Sequence, residues 1–283
     1  MQGRGELASG QELIPYRPAA LQPRRRWRSA WIAAAVTLLM TLVAVLWPMT
    51  AAPSALVPMA LVQAIPAART PAVGALFSVS GGRLGSHFCT ASVVDSPAGN
   101  LILTAAHCLA AYPGAGSGAL AFVPAYDKGA APYGVWKVTR VFVDSAWASS
   151  ADPDHDVAFL TVAHPRGGKT IEEVTGGERL GIDQPSGAVV RVSGYPNTQD
   201  EPISCQNRTL AFSSTQLEFD CDHFTNGTSG SPFLIDTGAA IGGVTVIGVI
   251  GGYQEGGDSA DISYAAVFGR DVKALYETAV AGS

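Results

Sequence analysis

From residue 73 onward the chain breaks into short runs in which apolar residues cluster or alternate with polar ones. Most runs are closed by Gly, Pro, Asn, Asp or Ser. Runs of this length with that punctuation read as β-strands rather than helices. A first group covers residues 73–79, 88–94, 101–104, 119–124, 135–143 and 157–162, and 135–143 alternates as a half-buried strand would. A polar, Gly-rich stretch, 163–187, reads as a crossing between two halves. A second group follows at 188–193, 209–213, 216–220, 231–235, 242–251 and 262–268. The period then becomes helical over 270–280, where Val272, Leu275, Tyr276 and Val280 share one face. Six strands, a connector, six strands and a terminal helix predict an all-β body of two β-barrels, about 73–165 and 185–268.

The first 72 residues have a different pattern. Residues 1–28 hold six arginines against two glutamates, a balance of +4. The whole chain carries -5, so everything after residue 28 sums to -9. An acidic body of that kind excludes nucleic acid as its natural partner. Arg24, Arg25, Arg26 and Arg28 stand directly before a segment, 29–47, that bears no charge. Its 18 residues from 30 to 47 would span roughly 27 Å as a helix, near the thickness of a bilayer core. Positive charge stays on the cytoplasmic side and sends the C-terminal body outward. The segment is therefore either the core of a cleaved signal peptide or a retained transmembrane anchor. Residues 48–72, rich in Ala and Pro, read as a linker or propeptide.

Composition agrees with the strand reading. Thirty-two glycines and 18 prolines would cut long helices short, while about 210 residues suffice for a sizeable core. Four cysteines, Cys89, Cys108, Cys205 and Cys221, all lie in the outward body, and an even count there predicts two disulfides. Three pairings are open. The absence of any CxxC unit speaks against zinc, and no metal or cofactor is expected.

Three blocks carry chemistry. Residues 103–108 read Leu-Thr-Ala-Ala-His-Cys, a strand end turning into a histidine, His107. Residues 154–160 place an acid, Asp156, at the mouth of an apolar strand. Residues 226–232 read Asn-Gly-Thr-Ser-Gly-Ser-Pro, with Ser229 between small residues. A serine hydroxyl is a weak nucleophile until a base removes its proton. A histidine does this near neutral pH and returns the proton to the leaving group. A buried carboxylate fixes the histidine's tautomer. Glycine beside the serine lets two backbone N–H groups, those of Gly227 and Ser229, meet a developing oxyanion. His155, Asp152 and Asp154 are less suited to these roles: alternation turns His155 away from the face of Asp156, and the two acids read as solvated loop residues. Ser231 reads as a local cap. Two glycosylation-like triplets, at Asn207 and Asn226, read as chance matches.

Taken together, these blocks resemble the trypsin-like serine peptidases of the chymotrypsin fold, in their bacterial-type branch with a G-T-S-G-S-P nucleophile block. The resemblance runs from about residue 73 to the C-terminus. It implies two six-stranded antiparallel β-barrels with the active site between them and a short C-terminal helix. It also implies an exported serine endopeptidase acting through an acyl-enzyme on protein or peptide substrates, with His107, Asp156 and Ser229 as its triad. Cys89–Cys108 is the pairing it implies, which leaves Cys205–Cys221. The chain departs from animal trypsins at two places. Thr228 replaces the acid that receives a newly freed N-terminus, so that route of activation is not expected. His223 stands where trypsin has its pocket acid, and with Gly251 and Gly252 it is the expected specificity pocket. A pocket histidine resembles glutamyl endopeptidases and would favour acidic side chains, but theirs lies on a later strand, and the matching stretch here, 248–253, has no histidine. Gly251 also replaces a serine that many relatives use to support the acid. That leaves open a catalytically weak, binding form of the fold, whereas an esterase of the α/β-hydrolase type would show the serine first.

Overall fold

The structure, a computed structural model, describes residues 62–283 apart from 68–69, 113–115, 117, 165–167 and 237–242. The basic head 1–28, the apolar segment 29–47 and the part of 48–72 up to residue 61 lie outside the described residues. Residues 59–283 form one compact unit. Among the described residues no helix is long and apolar enough to cross a membrane.

The first half is a closed barrel. Its strands are β2 (Val73–Ser80), β3 (Arg83–Val94), β4 (Leu101–Thr104), β5 (Leu120–Pro124), β6 (Trp136–Val143) and β7 (Ala158–Ala163). They close in the order β2-β3-β4-β7-β6-β5. All six fall where the hydrophobic runs predict them. Leu101, Ile102 and Leu103 of β4 are fully buried, as are Phe159 and Leu160 of β7. Strand β3 starts five residues earlier than its apolar run, because its exposed end, 83–86, pairs with β2 through register shifts that carry no hydrophobic signal. Two short helices lie outside the strand pattern: α1 (Ser145–Ser150) and α2 (Ile171–Thr175). The Thr170 and Glu173 side chains form a capping box that starts α2.

The second half is built from two sheets. Their strands are β1 (Ile65–Pro66), β8 (Arg179–Leu180), β9 (Val189–Gly194), β10 (Ile203–Arg208), β11 (Leu210–Ala211), β12 (Gln216–Asp220), β13 (Pro232–Asp236), β14 (Val244–Val249) and β15 (Ile262–Ala266). The larger sheet has the order β1-β10-β9-β13-β14-β8 and the smaller β11-β12-β15. Together with the closed barrel they make the double-barrel fold. Phe219, Phe224, Phe233 and Ile247 are among the residues that fill the space between the sheets. Strand β10 escapes the hydrophobic pattern because only Ile203 and Cys205 of its six residues are buried. Residues 64–67, inside the stretch expected as linker, are bound to this half: Ile65 pairs with Ser204, and the Ala67 N–H donates to Pro202 O at 3.0 Å.

Helix α3 (Arg270–Ala281) returns to the first barrel. Val272, Leu275 and Ala279 join its core, and the Tyr276 hydroxyl donates to the Asp95 carbonyl at 2.7 Å. Both disulfides have the expected pairing, Cys89–Cys108 and Cys205–Cys221.

Candidate active site

Strands β4 and β7 are antiparallel neighbours, with Leu103 opposite Phe159 and Thr104 opposite Ala158. The C-terminal end of one therefore lies beside the N-terminal start of the other, and the loops at those ends meet. The first loop turns at once into a single 3-10 turn that begins on His107. The second enters through a 3-10 turn, Pro153–His155, in which the Asp154 N–H is capped by Asp152. Asp156 closes that turn and is 1% exposed.

A carboxylate so buried must be hydrogen-bonded. Asp156 accepts three donors. Its Oδ1 takes the His107 backbone N–H at 2.8 Å and its Oδ2 takes His107 Nδ1–H at 2.7 Å. Oδ2 also takes the Gly252 N–H at 2.8 Å. With Nδ1 donating to the acid, Nε2 is left as the accepting nitrogen.

Gly251 explains why the third donor is a backbone group. A Cβ there would lie 2.9 Å from Asp156 Oδ2 and 3.1 Å from the Ala105 Cβ. The chain can approach the acid closely only without a side chain, and the next N–H then supplies the support that the missing serine hydroxyl would have given.

Ser229 sits in a turn ahead of β13, half-buried. The turn is tied internally by Thr228 N–H to Thr225 O at 3.1 Å and by Ser231 Oγ–H to Thr228 O at 2.6 Å. It is tied to the first barrel by one residue of β3, Thr90. The Thr90 N–H donates to the Ser229 carbonyl at 2.8 Å, and its hydroxyl donates to the Gly227 carbonyl at 3.0 Å. The same hydroxyl accepts the Tyr195 N–H at 2.9 Å, and the Thr90 carbonyl accepts the Thr104 hydroxyl at 2.7 Å. The neighbour of Thr90, Cys89, is bonded to Cys108, which comes directly after His107. One dipeptide of β3 thus holds both the serine turn and the histidine turn.

Two glycines let the turn approach its neighbours on both sides this closely. Gly227 has φ +100°, and a Cβ on it would lie 2.4 Å from Asn197 N. Gly230 has φ +83°, and a Cβ there would lie 2.1 Å from the Thr90 carbonyl. Among the described residues, no backbone hydrogen bond uses the Gly227 or Ser229 N–H.

A cavity of about 350 Å³ adjoins Ser229. Phe224, Ile250 and Ala260 give it apolar walls, while Glu255 and Asp258 are the charged residues of its lining. His223, expected at its floor, does not line it. That residue has a left-handed φ of 69°, which swings the ring outward, where its Nδ1 meets Asp222 Oδ1 at 2.7 Å with 67% of the side chain exposed. Gly251 and Gly252 also lie off this lining, against Asp156 and Gln216.

The remaining expected residues have local partners. His155 Nδ1 lies 3.2 Å from Asp144 Oδ1, away from the Asp156 carboxylate. Asp154 is not simply solvated: its Oδ1 accepts from Gln216 Nε2 at 2.7 Å. Gln216 has no signal in the chain, since a lone glutamine at a strand start forms no motif. Among the described residues, Cys89, His107 and Cys108 form a group with metal-ligand proximity. Both sulfurs are consumed in their disulfide, so the group has no thiolate to offer a metal.

Comparison with known proteins places this geometry. Residues 63–267 match the trypsin family. The protease Anisep from Arthrobacter nicotinovorans is similar in structure, with a TM-score of 0.63 and 26% identity over 76% of this chain and 98% of that one. A thermostable serine protease, AL20, from an extremophilic microorganism superposes with a TM-score of 0.62 at 24% identity, covering 76% and 99%. A Glu endopeptidase shares the fold at 18% identity and a TM-score of 0.58, covering 77% and 97%. No curated protein matches the chain. The match over most of its length, together with these neighbours, makes the chain a member of the trypsin family of serine peptidases.

Proposed function

We propose that this peptidase is an exported endopeptidase that cleaves peptide bonds through an acyl-enzyme on Ser229. His107 takes the serine proton at Nε2 and delivers it to the leaving amine, while Asp156 orients the ring and stabilises the imidazolium. The N–H groups of Gly227 and Ser229 receive the oxyanion. The observation that carries the reading is the buried Asp156 carboxylate with three converging donors, one of them His107 Nδ1–H. The Gly252 N–H counts against a weakened, binding form of the fold, because it donates to the acid at 2.8 Å where a serine is missing.

Export is supported by the basic head, the apolar segment 29–47 and two disulfides in the C-terminal body. The substrate is an extended stretch of protein or peptide. For its side chain beside the scissile bond, the cavity at Ser229 offers a mainly polar lining with Phe224, Ile250 and Ala260 as its apolar part and two carboxylates. That lining disfavours an acidic side chain, so the glutamyl reading loses its support along with the outward-turned His223.

A fluorophosphonate probe tests the chemistry. It should label the wild type and leave Ser229→Ala unlabelled; labelling that survives the substitution would remove Ser229 from the mechanism. A peptide-library digest tests the cavity, and dominant cleavage after Glu would overturn the specificity.

A further inference from the structure

Gln216 opens β12 and is 4% exposed, and a buried amide needs its donors and acceptors matched. Its Nε2 donates to the Pro153 carbonyl at 3.1 Å and to Asp154 Oδ1 at 2.7 Å. Its Oε1 accepts the Tyr253 N–H at 3.1 Å. The amide orientation is fixed by this set, because the reverse would set Oε1 against two acceptor oxygens.

The three partners lie on the two segments that flank the acid. Pro153 and Asp154 belong to the 3-10 turn that Asp156 closes, and the Asp156 N–H itself donates to Pro153 O. Tyr253 comes directly after Gly252, whose N–H is the third donor to Asp156 Oδ2. Gly252 is left-handed, at φ +77°, and a Cβ on it would lie 2.3 Å from Gln216 Oε1. The segment 251–253 therefore has one arrangement in which it can meet both the amide and the carboxylate.

We propose that Gln216 is a positioning residue for the acid of the triad. It joins the turn that carries Asp156 to the strand end that carries the Gly252 N–H, and so holds the donor on Oδ2. Without it the carboxylate of Asp156 must itself hold that donor in place, and the acid then shares its alignment between His107 and a loosened loop. The inference rests on the triad reading. It adds to the triad a residue that touches neither substrate nor histidine and comes from the other half of the molecule.

Three variants test it. Gln216→Met keeps the volume and removes all three hydrogen bonds. It should lower kcat at least tenfold with KM changed less than twofold, and hydrogen exchange at the amides of residues 252 and 253 should quicken. Gln216→Glu keeps the Tyr253 contact but faces a carboxylate with Asp154, so it should lose at least as much kcat. Adding Asp154→Asn to Gln216→Glu restores a donor opposite an acceptor and should recover most of the loss. A kcat within twofold of wild type in Gln216→Met, or unchanged exchange at 252 and 253, overturns the proposal. So does a Gln216→Glu/Asp154→Asn pair no better than Gln216→Glu alone, which remains informative if the Met variant does not fold. The exchange measurement does not depend on turnover. Failure of the triad reading itself would show separately, as wild-type labelling that Ser229→Ala does not abolish.

Discussion

The two halves of the body hold their functional residues by different means. The first half is a closed barrel, so its strands have no free edge and each loop leaves from a fixed register. His107 and Asp156 lie two or three residues from adjacent strand ends, and the ladder between β4 and β7 sets those ends side by side. The second half consists of two separate sheets, and its Ser229 lies on a glycine-flanked turn. That turn is tied to its own half at Asn197 and Ile250, and to the barrel through Thr90. On the proposed mechanism the barrel supplies its two residues from rigid strand ends, and the sheets supply Ser229 from a loop that must be tied down.

The largest effect should come from the barrel's own contribution. Asp156→Asn keeps the volume but presents His107 with the wrong tautomer, since an amide nitrogen would now face Nδ1 or displace it. A loss of about 10⁴ in kcat is expected, with the fold retained. The check is turnover of a peptide ester together with the thermal midpoint. A variant within tenfold of wild type would mean that the barrel pair does not carry the chemistry.

The same contrast governs what could be read from the chain. The barrel strands were legible because closed burial demands apolar residues: all four residues of β4 are buried, and so are five of the six in β7. The histidine and acid blocks were legible because each attaches to such a strand. Strand β10 was not, since a strand with two buried side chains is held by backbone hydrogen bonds and a disulfide, and neither leaves a hydrophobic pattern. The direction of the His223 ring was not legible for a related reason. Counting back from the serine gives a position along the chain, but the positive φ that turns the ring outward is a property of the folded loop. Gln216 reaches Pro153 across 63 residues and Tyr253 across 37, and Thr90 reaches Gly227 across 137, so these partners meet only in three dimensions.

Where the crossing segment meets the barrel, Glu178 lies in the seam. Its N–H and carbonyl pair with Val93 and Asp95, and its carboxyl is buried with no hydrogen-bond partner at bonding distance. Burial pushes the carboxyl up to about 8; nearby Ser92 and Arg191 pull it down in part, and Asp95 raises it further. The folded state then holds a proton that the unfolded state releases near pH 4.5, so stability falls as pH rises between those values. The loss amounts to up to about 5 kcal/mol above pH 8. An amide cannot ionise, so Glu178→Gln should flatten the dependence of the urea midpoint on pH between 5 and 9. A wild-type midpoint independent of pH over that range would show that the seam tolerates the charge.

The disulfides sharpen the contrast between halves. Their sequence separations are alike, 19 and 16 residues, so loop closure gives each about 3 kcal/mol. Their consequences for activity should differ. Replacing Cys89 and Cys108 by serine frees the turn that starts on His107, and kcat should fall along with stability. Replacing Cys205 and Cys221 loosens β10 against the end of β12, and kcat at a temperature well below melting should stay within a fewfold of wild type. Equal losses of kcat in the two variants would contradict the idea that the barrel fixes its residues directly.

The smallest expected effect bears on how the loop-borne serine is tied. Thr90→Val removes one hydroxyl with little change of volume, and the backbone bond from residue 90 to the Ser229 carbonyl is kept. The substitution removes the donor to the Gly227 carbonyl and the acceptor for the Tyr195 N–H, both buried. Leaving such groups without their bond costs about 1–3 kcal/mol. Because the Gly227 carbonyl belongs to the peptide next to the oxyanion donors, its release should also lower kcat, by about tenfold if one donor is weakened but not removed. Thr90→Ser keeps the hydroxyl and should restore kcat while giving up only the packing of a methyl group. If Thr90→Val melts lower yet turns over like the wild type, the tie is a matter of stability alone, and the serine turn holds its own geometry as firmly as the barrel holds the histidine and the acid.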